Sequence, residues 1–362
     1  MITYLVTGGA GFIGSNYIHY MFREHKDIRI VNLDALTYAG NLDNLSDIGQ
    51  GDSYRFVKGD ICDRELVESI FRDEDIRYVI HFAAESHVDR SIADPDTFVR
   101  TNVLGTMNLL HCAYDAWVQP DGTFSEGCRF IHVSTDEVYG SLTGEGTYFY
   151  EDTPYDPHSP YSASKAGSDL LVKSFIDTYG FPANITNCSN NYGPYQFPEK
   201  LIPLMIQNAL SGKALPVYGD GLNVRDWLYV EDHARGIDMV CQRGRLGEKY
   251  NIGGHNERQN IQIVETIIDL LREMLPEEDP RRACVTGDLI TYVEDRKGHD
   301  RRYAIAPDKI KSELGWEPLT NFEDGIRKTI RWYLDNEKWL EGVISGEYLR
   351  FYEQNYSGRE KL

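Results

Sequence analysis

Four side chains near the middle of the sequence have the types and spacing needed for acid–base chemistry. Asp136 and Glu137 are adjacent carboxylates, and Tyr161 and Lys165 follow them with i, i+4 spacing. On a helix, that spacing places the phenol and the ammonium on one face. A nearby ammonium lowers the pKa of a phenol, so Tyr161 is suited to remove a proton from an alcohol. Because simple alcohol oxidation needs no further acid or base, the two carboxylates point to elimination of water.

The tyrosine–lysine pair and the carboxylate pair are each expected to lie on a separate secondary-structure element. The helix predicted over residues 162–179 has Pro160 suited to its first turn and Ser159 suited to its N-cap. The carboxylates follow a strand predicted over residues 130–134. An Asp or Glu at such a place often caps the next helix, which is the alternative interpretation. The glycine-rich stretch from Gly140 to Gly146 is not typical of a helix start, which favours the catalytic interpretation.

The first half of the chain alternates between apolar runs and amphipathic segments. Strands are predicted over residues 4–7, 28–34, 54–58, 78–82, 130–134 and 183–188, and helices over 13–23, 64–73, 97–117 and 162–179. This alternation is typical of an α/β protein with a Rossmann-type, doubly wound parallel sheet. In such a sheet, ligands bind at the carboxyl ends of the strands, where both catalytic pairs are expected.

The pattern becomes irregular after residue 190, where several prolines interrupt it. A strand over 226–230 and a helix over 232–241 follow, and we expect them to return the chain to the first part. The prediction is therefore a nucleotide-binding domain of residues 1–190 with a return segment of about 226–255. A smaller mixed C-terminal substrate lobe is expected from about 191–225 and 256–362.

A glycine motif directly after the first predicted strand indicates a dinucleotide site. Gly9, Gly11 and Gly14 form a G-x-G-x-x-G run that opens a helix, whose N-terminus can face a pyrophosphate. Asp34 ends the second predicted strand, where its carboxylate can accept hydrogen bonds from a ribose diol. Since this charge repels a 2′-phosphate, NAD is favoured over NADP. Asp60 is expected at the adenine end, although an N-cap role before the next helix is an open alternative.

The composition narrows the function classes further. The chain has 362 residues and a formal net charge of −20, which argues against nucleic acid or an anionic membrane as partner. No apolar run approaches the roughly 20 residues that cross a bilayer, and no basic leader precedes the first strand. The six cysteines are scattered singly, as expected for reduced thiols. We therefore expect a cytoplasmic enzyme.

Longer motifs, spread over nearly the whole chain, resemble the extended short-chain dehydrogenase/reductase superfamily and, within it, the dTDP-glucose 4,6-dehydratase family. The motifs are TGGAGFIGS, LDALTYAGN, AAESHVDRSI, STDEVYG, SPYSASKAGSD, TNCSNNYGPYQFPEKLIP, RDWLYVEDHARG, YNIGGHNE and DRKGHDRRYAI. The resemblance implies that Tyr161 takes the proton of the sugar 4-hydroxyl while NAD takes the hydride. Glu137 would then remove the C5 proton, Asp136 would protonate the departing 6-hydroxyl, and Thr135 would contact the 4-hydroxyl.

The same resemblance implies a larger set of binding residues. Those expected at NAD are Gly8, Gly11, Phe12, Ile13, Gly14, Asp34, Leu36, Thr37, Asp60, Ile61, Phe82, Ala83, Ala84, Ser86, Thr101, Tyr161, Lys165 and Asn191. Those expected at the sugar nucleotide are Ser86, Thr135, Asn190, Lys200, Leu201, Pro216, Val217, Tyr218, Arg225, Asn260, Arg296, His299 and Tyr303, with Arg301 or Arg302 as further candidates. A homodimer, pairing the helices near 97–117 and 162–179 of two subunits, is also implied.

Other interpretations stay open at this stage. The nearest are a sugar-nucleotide 4-epimerase, a decarboxylase, or a dehydratase for a different nucleotide sugar on the same scaffold. A non-catalytic NAD-binding regulator is an alternative of another class, although such a module would have no chemical use for both catalytic pairs. Glu231, Asp232 and His233 suggest a metal site, but a helix start capped by Asp232 is simpler, and no metal is predicted. Lys297 stands where the family often has Pro.

Overall fold

The computed structural model of the chain is described over residues 1–144 and 146–344. The first half alternates strands and helices, as predicted. Its elements are β1 (Ile2–Thr7), α1 (Phe12–Glu24), β2 (Ile28–Asp34), β3 (Tyr54–Lys58), α2 (Arg64–Asp73), β4 (Ile76–His81), α3 (Val88–Ala93), α4 (Pro95–Phe98), a π-helical segment (Val99–Gly105), α5 (Thr106–Trp117), β5 (Arg129–Thr135), α6 (Pro160–Tyr179) and β6 (Ala183–Cys188). Short 3₁₀ turns occupy Leu42–Leu45 and Asp136–Tyr139.

The second half contains shorter strands between helices. Its elements are β7 (Asn190–Tyr192), α7 (Leu201–Leu210), β8 (Leu215–Tyr218), β9 (Val224–Tyr229), α8 (Val230–Arg243), β10 (Lys249–Ile252), β11 (Glu257–Gln259), α9 (Asn260–Met274), α10 (Pro280–Cys284), β12 (Ile290–Val293), α11 (Asp308–Leu314), α12 (Phe322–Asp335) and α13 (Glu337–Val343), with a 3₁₀ turn at Gly287–Leu289. Within the described ranges, no helix combines the length and apolar character needed to span a membrane.

A seven-stranded sheet with the order β10-β6-β5-β4-β1-β2-β3 forms the centre of the molecule, and all of its strand pairs are parallel. Its inner strands are buried on both faces, which is why they appear in the sequence as continuous apolar runs. Helices α1 and α8 contribute to the core on one face, and α2, α5 and α6 contribute to the core on the other. The Rossmann-type doubly wound fold is therefore confirmed.

Parallel order brings the carboxyl ends of the strands to one edge of the sheet. Thr7, Asp34, His81, Thr135 and Cys188 end five of these strands. At the end of β5, the side chain of Thr135 accepts the backbone N–H of Glu137 and caps the 3₁₀ turn that follows. The carboxylates of this turn are thus not its cap, so the alternative interpretation of Asp136 as a capping residue is wrong.

Two smaller sheets, β11-β9-β7 and β12-β8, lie outside the central one. The strand expected over 226–230 to rejoin the first part belongs instead to the three-stranded sheet, where β9 pairs with β7 and β11. The segments that do return are α8, which packs against α1, and β10, which pairs with β6. A short apolar strand does not encode which sheet it joins, and the domain division with a return segment of about 226–255 stays a prediction.

Two helix predictions also need correction. The helix expected over 97–117 is interrupted by the π-helical segment Val99–Gly105. Asp232 was expected to cap α8, but it lies inside the first turn of that helix. Its carboxylate instead accepts the backbone N–H groups of Leu319 and Thr320, each at 2.9 Å.

Candidate active site

A cavity of about 340 Å³ opens at the carboxyl edge of the central sheet. It is lined by the glycine loop, the ends of β2, β4, β5 and β6, and the start of α6. All four predicted acid–base residues line it, together with Thr135. A larger cavity of about 640 Å³ lies beside Trp117 at the opposite ends of β4 and β5. Neither the acid–base residues nor the glycine loop lines it. The chemistry therefore belongs to the smaller cavity.

The glycine loop forms one wall of this cavity and allows no side chain at two positions. Gly8 has φ +71°, and a Cβ built there would lie 2.6 Å from the backbone nitrogen of Ala83. A Cβ built on Gly14 would lie 2.3 Å from the carbonyl oxygen of Gly8. The loop therefore packs against the end of β4 and leaves the N-terminus of α1 open toward the cavity, as phosphate binding requires.

Asp34 lies at the end of β2 with its carboxylate held by the backbone. Oδ2 accepts the N–H of Ala10 at 2.9 Å, and Oδ1 accepts the N–H of Leu36 at 2.8 Å. Burial raises its pKa, while these two hydrogen bonds oppose that shift. Each oxygen keeps a lone pair, so the carboxylate is oriented to accept a diol.

Tyr161 and Lys165 lie on one face of α6, whose N-terminus has a complete cap. Ser159 and Ser162 form a capping box, and Pro160 occupies the first turn, as predicted. The Lys165 ammonium donates a hydrogen bond to the carbonyl oxygen of Val133 at 2.8 Å, and burial lowers its pKa.

The expected lowering of the Tyr161 pKa does not come from the chain's own residues. Burial raises this pKa well above its usual range, and the negative charge of Glu137 raises it further, whereas a hydrogen bond with Thr135 lowers it. The cost of burying a phenolate thus outweighs the effect of the nearby ammonium, and the predicted lowering of the pKa would also require the positive charge of an oxidised nicotinamide.

Asp136 and Glu137 occupy unlike environments although they are adjacent. Asp136 is 1% exposed, and its burial, followed by the charge of Glu137, raises its pKa well above the usual range. Burial also raises the pKa of Glu137, but the positive charges of Lys200, Arg225 and Arg296 oppose that shift. Asp136 is thus the better proton donor and Glu137 the better base, which is the division that an elimination requires.

The predicted substrate residues fall into two groups. Ser86, Asn190 and Lys200 line the cavity, and the Lys200 ammonium donates to the carbonyl oxygen of Ser86 at 2.8 Å. Tyr218, Arg225, Arg296, His299 and Tyr303 lie in a neighbouring cluster on β8, β9 and the loop after β12, outside the cavity lining. The cluster is defined by these five residues and is called the arginine cluster below.

Ring contacts and ion pairs join the arginine cluster. Arg225 lies over the ring of Tyr303 at 4.3 Å, and Arg296 lies over the ring of Tyr218 at 5.2 Å. Arg296 also makes a bidentate ion pair with Asp89, at 2.8 and 2.6 Å. Both arginines lie near enough to Glu137 to influence its pKa, so the cluster borders the catalytic end of the cavity.

Some predicted residues lie elsewhere. Leu36, which has a positive φ of 52°, is not among the cavity-lining residues, although its neighbours Ala35 and Thr37 are. Arg301 pairs with Asp220, and Arg302 donates to the carbonyl oxygens of Gly144 and Thr147. The remaining substrate candidates also lie outside the cavity lining: Leu201 begins α7, Pro216 and Val217 lie in β8, and Asn260 begins α9. The other predicted NAD residues all line the cavity.

Sequence reasoning missed a buried carboxylate below the cavity. Asp169, one turn after Lys165 on α6, accepts hydrogen bonds from the hydroxyls of Ser134 and Tyr155 at 2.9 and 2.8 Å. The position of this carboxylate four residues after the lysine, inside the SPYSASKAGSD motif, was the available signal. Glu85 and Tyr38, which line the cavity, were also missed.

Comparison with known proteins agrees with this geometry. The family model described as GDP-mannose 4,6 dehydratase matches residues 5–329. The dTDP-glucose 4,6-dehydratase of Neisseria meningitidis serogroup B is 55% identical over 95% of this chain and 96% of that protein. The chain belongs to the dTDP-glucose 4,6-dehydratase family.

Two solved members resemble its structure closely. That of Bacillus anthracis, in complex with NAD, has 48% identity, a TM-score of 0.83 and coverage of 95% of this chain and 100% of that one. That of Streptomyces venezuelae, with NAD and dTDP bound, has 45% identity, a TM-score of 0.85 and coverage of 94% and 100%.

The residues of this cavity fit NAD. The glycine loop packs closely where a Cβ would collide with backbone, and the first-turn N–H groups of α1, which have no acceptor within a helix, can face a pyrophosphate. Asp34 is oriented for a ribose diol by two backbone N–H groups. Its charge disfavours a 2′-phosphate, in agreement with the expected preference for NAD over NADP.

Proposed function

We propose that this chain is a dTDP-glucose 4,6-dehydratase, which converts dTDP-glucose into dTDP-4-keto-6-deoxyglucose and water. The observation that carries the proposal is the set of unlike carboxylates, Asp136 and Glu137, in one cavity with Tyr161 and the glycine loop. A 4-epimerase needs only the tyrosine and the dinucleotide. The names of the family's members support the same activity.

Tyr161 acts first in this scheme, as the base that takes the proton of the sugar 4-hydroxyl. Bound NAD supplies the hydride acceptor for C4 and, later, the hydride donor for C6. Thr135 contacts the same hydroxyl, and the positive charges of the Lys165 ammonium and of the oxidised nicotinamide would together offset the cost of burying the tyrosine phenolate. Oxidation at C4 acidifies the adjacent C5–H, which prepares the elimination.

The carboxylates carry out the second stage. Glu137 removes the C5 proton, and Asp136 protonates the 6-hydroxyl as it leaves as water. The raised pKa of Asp136 keeps it protonated until then, because its ionised form would be buried beside another carboxylate. Glu137 returns its proton to C5 when C6 is reduced, which gives the 4-keto-6-deoxy sugar.

The sugar nucleotide requires positive charge for its pyrophosphate, which an acidic protein must concentrate locally. We assign this role to Lys200 and to Arg225 and Arg296 of the arginine cluster, since all three act on Glu137 electrostatically. Ser86 and Asn190 line the cavity at the sugar end, while Leu201, Pro216 and Asn260 are proposed farther along the nucleotide.

Assembly and location belong to the proposal as well. We propose a homodimer through α5, α6 and the π-helical segment, because Leu104 is 59% exposed and Leu170 58% exposed on these elements. Single thiols without disulfides support a cytoplasmic location. The proposed domain division is 1–190 with 226–255, against 191–225 with 256–362, and residues 345–362 of that division lie outside the described residues.

The experiment that tests the activity is mass spectrometry of dTDP-glucose after incubation with the purified protein, without added reductant. UDP-glucose serves as the control substrate. Loss of one water from dTDP-glucose is the expected result, with less from UDP-glucose because the absent thymine methyl is worth about 1–3 kcal/mol in an apolar pocket. An unchanged mass with appearance of the C4 epimer would refute the dehydratase and favour an epimerase.

A further inference from the structure

The side chain of Asn191 lies at the catalytic end of the cavity, which it helps to line. It follows β6 closely, and Cys188, the last residue of β6, is in register with Thr135 at the end of β5. The amide Nδ2 of Asn191 donates to the carbonyl oxygen of Ser189 at 3.0 Å and to Sγ of Cys188 at 3.4 Å. These two bonds orient the amide, because its nitrogen and its oxygen must then lie on opposite sides.

The partner of the amide oxygen is His233, one of three residues whose types suggest a metal site. Nδ1 of His233 lies 2.9 Å from Oδ1 of Asn191. Since an amide oxygen can only accept, Nδ1 must carry the hydrogen and donate it. Burial lowers the pKa of His233 to about 3, so the ring is neutral and this is its single N–H. Within the described residues, Nε2 has no hydrogen-bond partner, which agrees with a nitrogen that carries no hydrogen.

The chain path brings His233 to this position. Helix α8 begins directly after β9, and β9 pairs with β7, where Asn191 is in register with Leu228. His233 lies in the first part of α8, is 0% exposed and does not line the cavity. Among the described residues, its ring therefore reaches the cavity by hydrogen bonding through Asn191.

We propose that His233 is a positioning residue for the nicotinamide end of NAD and acts through the amide of Asn191. The proposal rests on the proposed function, in which Tyr161 removes a proton beside the hydride acceptor and so defines the nicotinamide end of the cavity. An amide oxygen has two lone pairs, so Oδ1 of Asn191 can accept from His233 and from a nicotinamide carboxamide at once. Without His233, this buried oxygen loses its donor and the amide loses its fixed orientation.

The adenosine end of the cavity is out of reach of this contact. Asp34, which is oriented for the ribose diol, ends β2, and β2 lies four strands away from β6 in the central sheet. Neighbouring strands are about 4.8 Å apart, so roughly 19 Å separates the two ends of the site. Loss of the His233 contact should therefore weaken the binding of NAD without weakening a ligand that has only the adenosine diphosphate ribose part.

The test compares NAD with ADP-ribose, which lacks the nicotinamide. The full-length protein, purified with NAD bound, is incubated with a fixed concentration of free NAD and increasing concentrations of ADP-ribose. The NAD that stays bound after rapid desalting is measured by mass spectrometry. The concentration of ADP-ribose that displaces half of the NAD gives the ratio of the two affinities. A change that loosens the whole fold weakens both ligands and leaves this ratio constant.

In His233→Leu, the ratio is expected to shift about fivefold in favour of ADP-ribose, since this is the typical effect of one neutral hydrogen bond on an equilibrium. His233→Asn places an amide donor near the position of Nδ1 and should keep the ratio of the wild type. Val240→Ala is the control, because Val240 is buried on the same helix and does not line the cavity. Asn191→Ala should show the shift by itself, and adding His233→Leu to it should cause no further change.

An unchanged ratio in His233→Leu, or an equal shift in His233→Leu and Val240→Ala, would overturn the role of His233. If His233→Leu does not fold, His233→Met removes the same donor with a more adaptable side chain and is judged by the same ratio. Failure of the proposed function is a separate result, because it shows as absence of water loss from dTDP-glucose in the wild type, whereas the ratio is measured without turnover.

Discussion

Replacement of Asp169 by Leu is expected to destabilise the protein by about 3–6 kcal/mol. The carboxylate is buried on α6 and accepts the hydroxyls of Ser134 and Tyr155, while Nε2 of His132 lies 3.1 Å from its other oxygen. Hydrogen bonds to a charged group contribute about 1.5–3 kcal/mol each, and two of them set the estimate. Leu accepts neither hydroxyl, so the buried hydroxyl of Ser134 and the partly buried hydroxyl of Tyr155 would both lose this partner.

Urea unfolding of the purified protein, followed by tryptophan fluorescence, measures this change. Asp177→Leu is the matched control, because Asp177 lies on the same helix, is exposed and, among the described residues, pairs with Lys173 across one turn. An exposed pair of this kind contributes about 0.3–0.5 kcal/mol. The contrary result is a free energy of unfolding of Asp169→Leu within about 1 kcal/mol of the wild-type value, with the same slope against urea concentration. In that case the carboxylate does not stabilise the contacts at the end of β5.

The same residue predicts a pH dependence with a definite sign. Hydrogen bonding and the nearby charges lower the pKa of Asp169 in the folded protein, against the opposing effect of burial. A carboxyl whose pKa is lower when folded stabilises the protein above its unfolded pKa, and this contribution is lost as the pH falls through the folded value. The advantage of the wild type over Asp169→Asn should therefore be full near pH 7 and decline below about pH 4. An advantage that grows on acidification would contradict the assignment of the charge.

Three further changes test the site. Tyr161→Phe should slow oxidation at C4 by about 10²–10⁴-fold, so the transient NADH absorbance of a single turnover should vanish; an unchanged transient would mean that another group is the base. Asp136→Asn combined with Glu137→Gln should block water loss while slow oxidation at C4 survives, and full dehydratase activity would reject both roles. Gly14→Ala should abolish retention of NAD on purification, because its Cβ would lie 2.3 Å from a backbone oxygen. Gly167→Ala, whose nearest contact is 3.5 Å away, is its control and should retain NAD.

The central sheet could be predicted from the sequence because its signals are local. A buried parallel strand is a continuous apolar run, and the strand over 28–34 and the helix over 64–73 were predicted with their observed bounds. The strand β9 has an equally clear run, but its sheet depends on pairing with residues Glu257–Gln259. Asp232 likewise resembled a helix cap, whereas its partners Leu319 and Thr320 are distant in sequence. The local sequence pattern does not predict such pairing between distant segments.

In the candidate site, too, local motifs could be predicted from the sequence, whereas properties that depend on distant segments could not. The glycine loop and the Tyr161 helix are contiguous motifs, so their residues could be numbered from the sequence. The order of the pKa values of Asp136 and Glu137 could not, because it depends on Lys200, Arg225 and Arg296 from three separate segments. The raised pKa of Tyr161 was missed because burial is a property of the packed chain.

The pairing of β10 with β6 has a consequence for synthesis of the chain. Residue Ile185 of β6 pairs with Lys249 of β10, and no other strand of the central sheet covers that side of β6. At a translation rate of about 5–20 residues per second, β6 leaves the ribosome roughly 3–13 s before its partner. During that interval the nascent protein presents an open row of backbone N–H and C=O groups, which other chains can pair with. Nascent chains arrested between these strands should therefore aggregate more readily than chains released after β10.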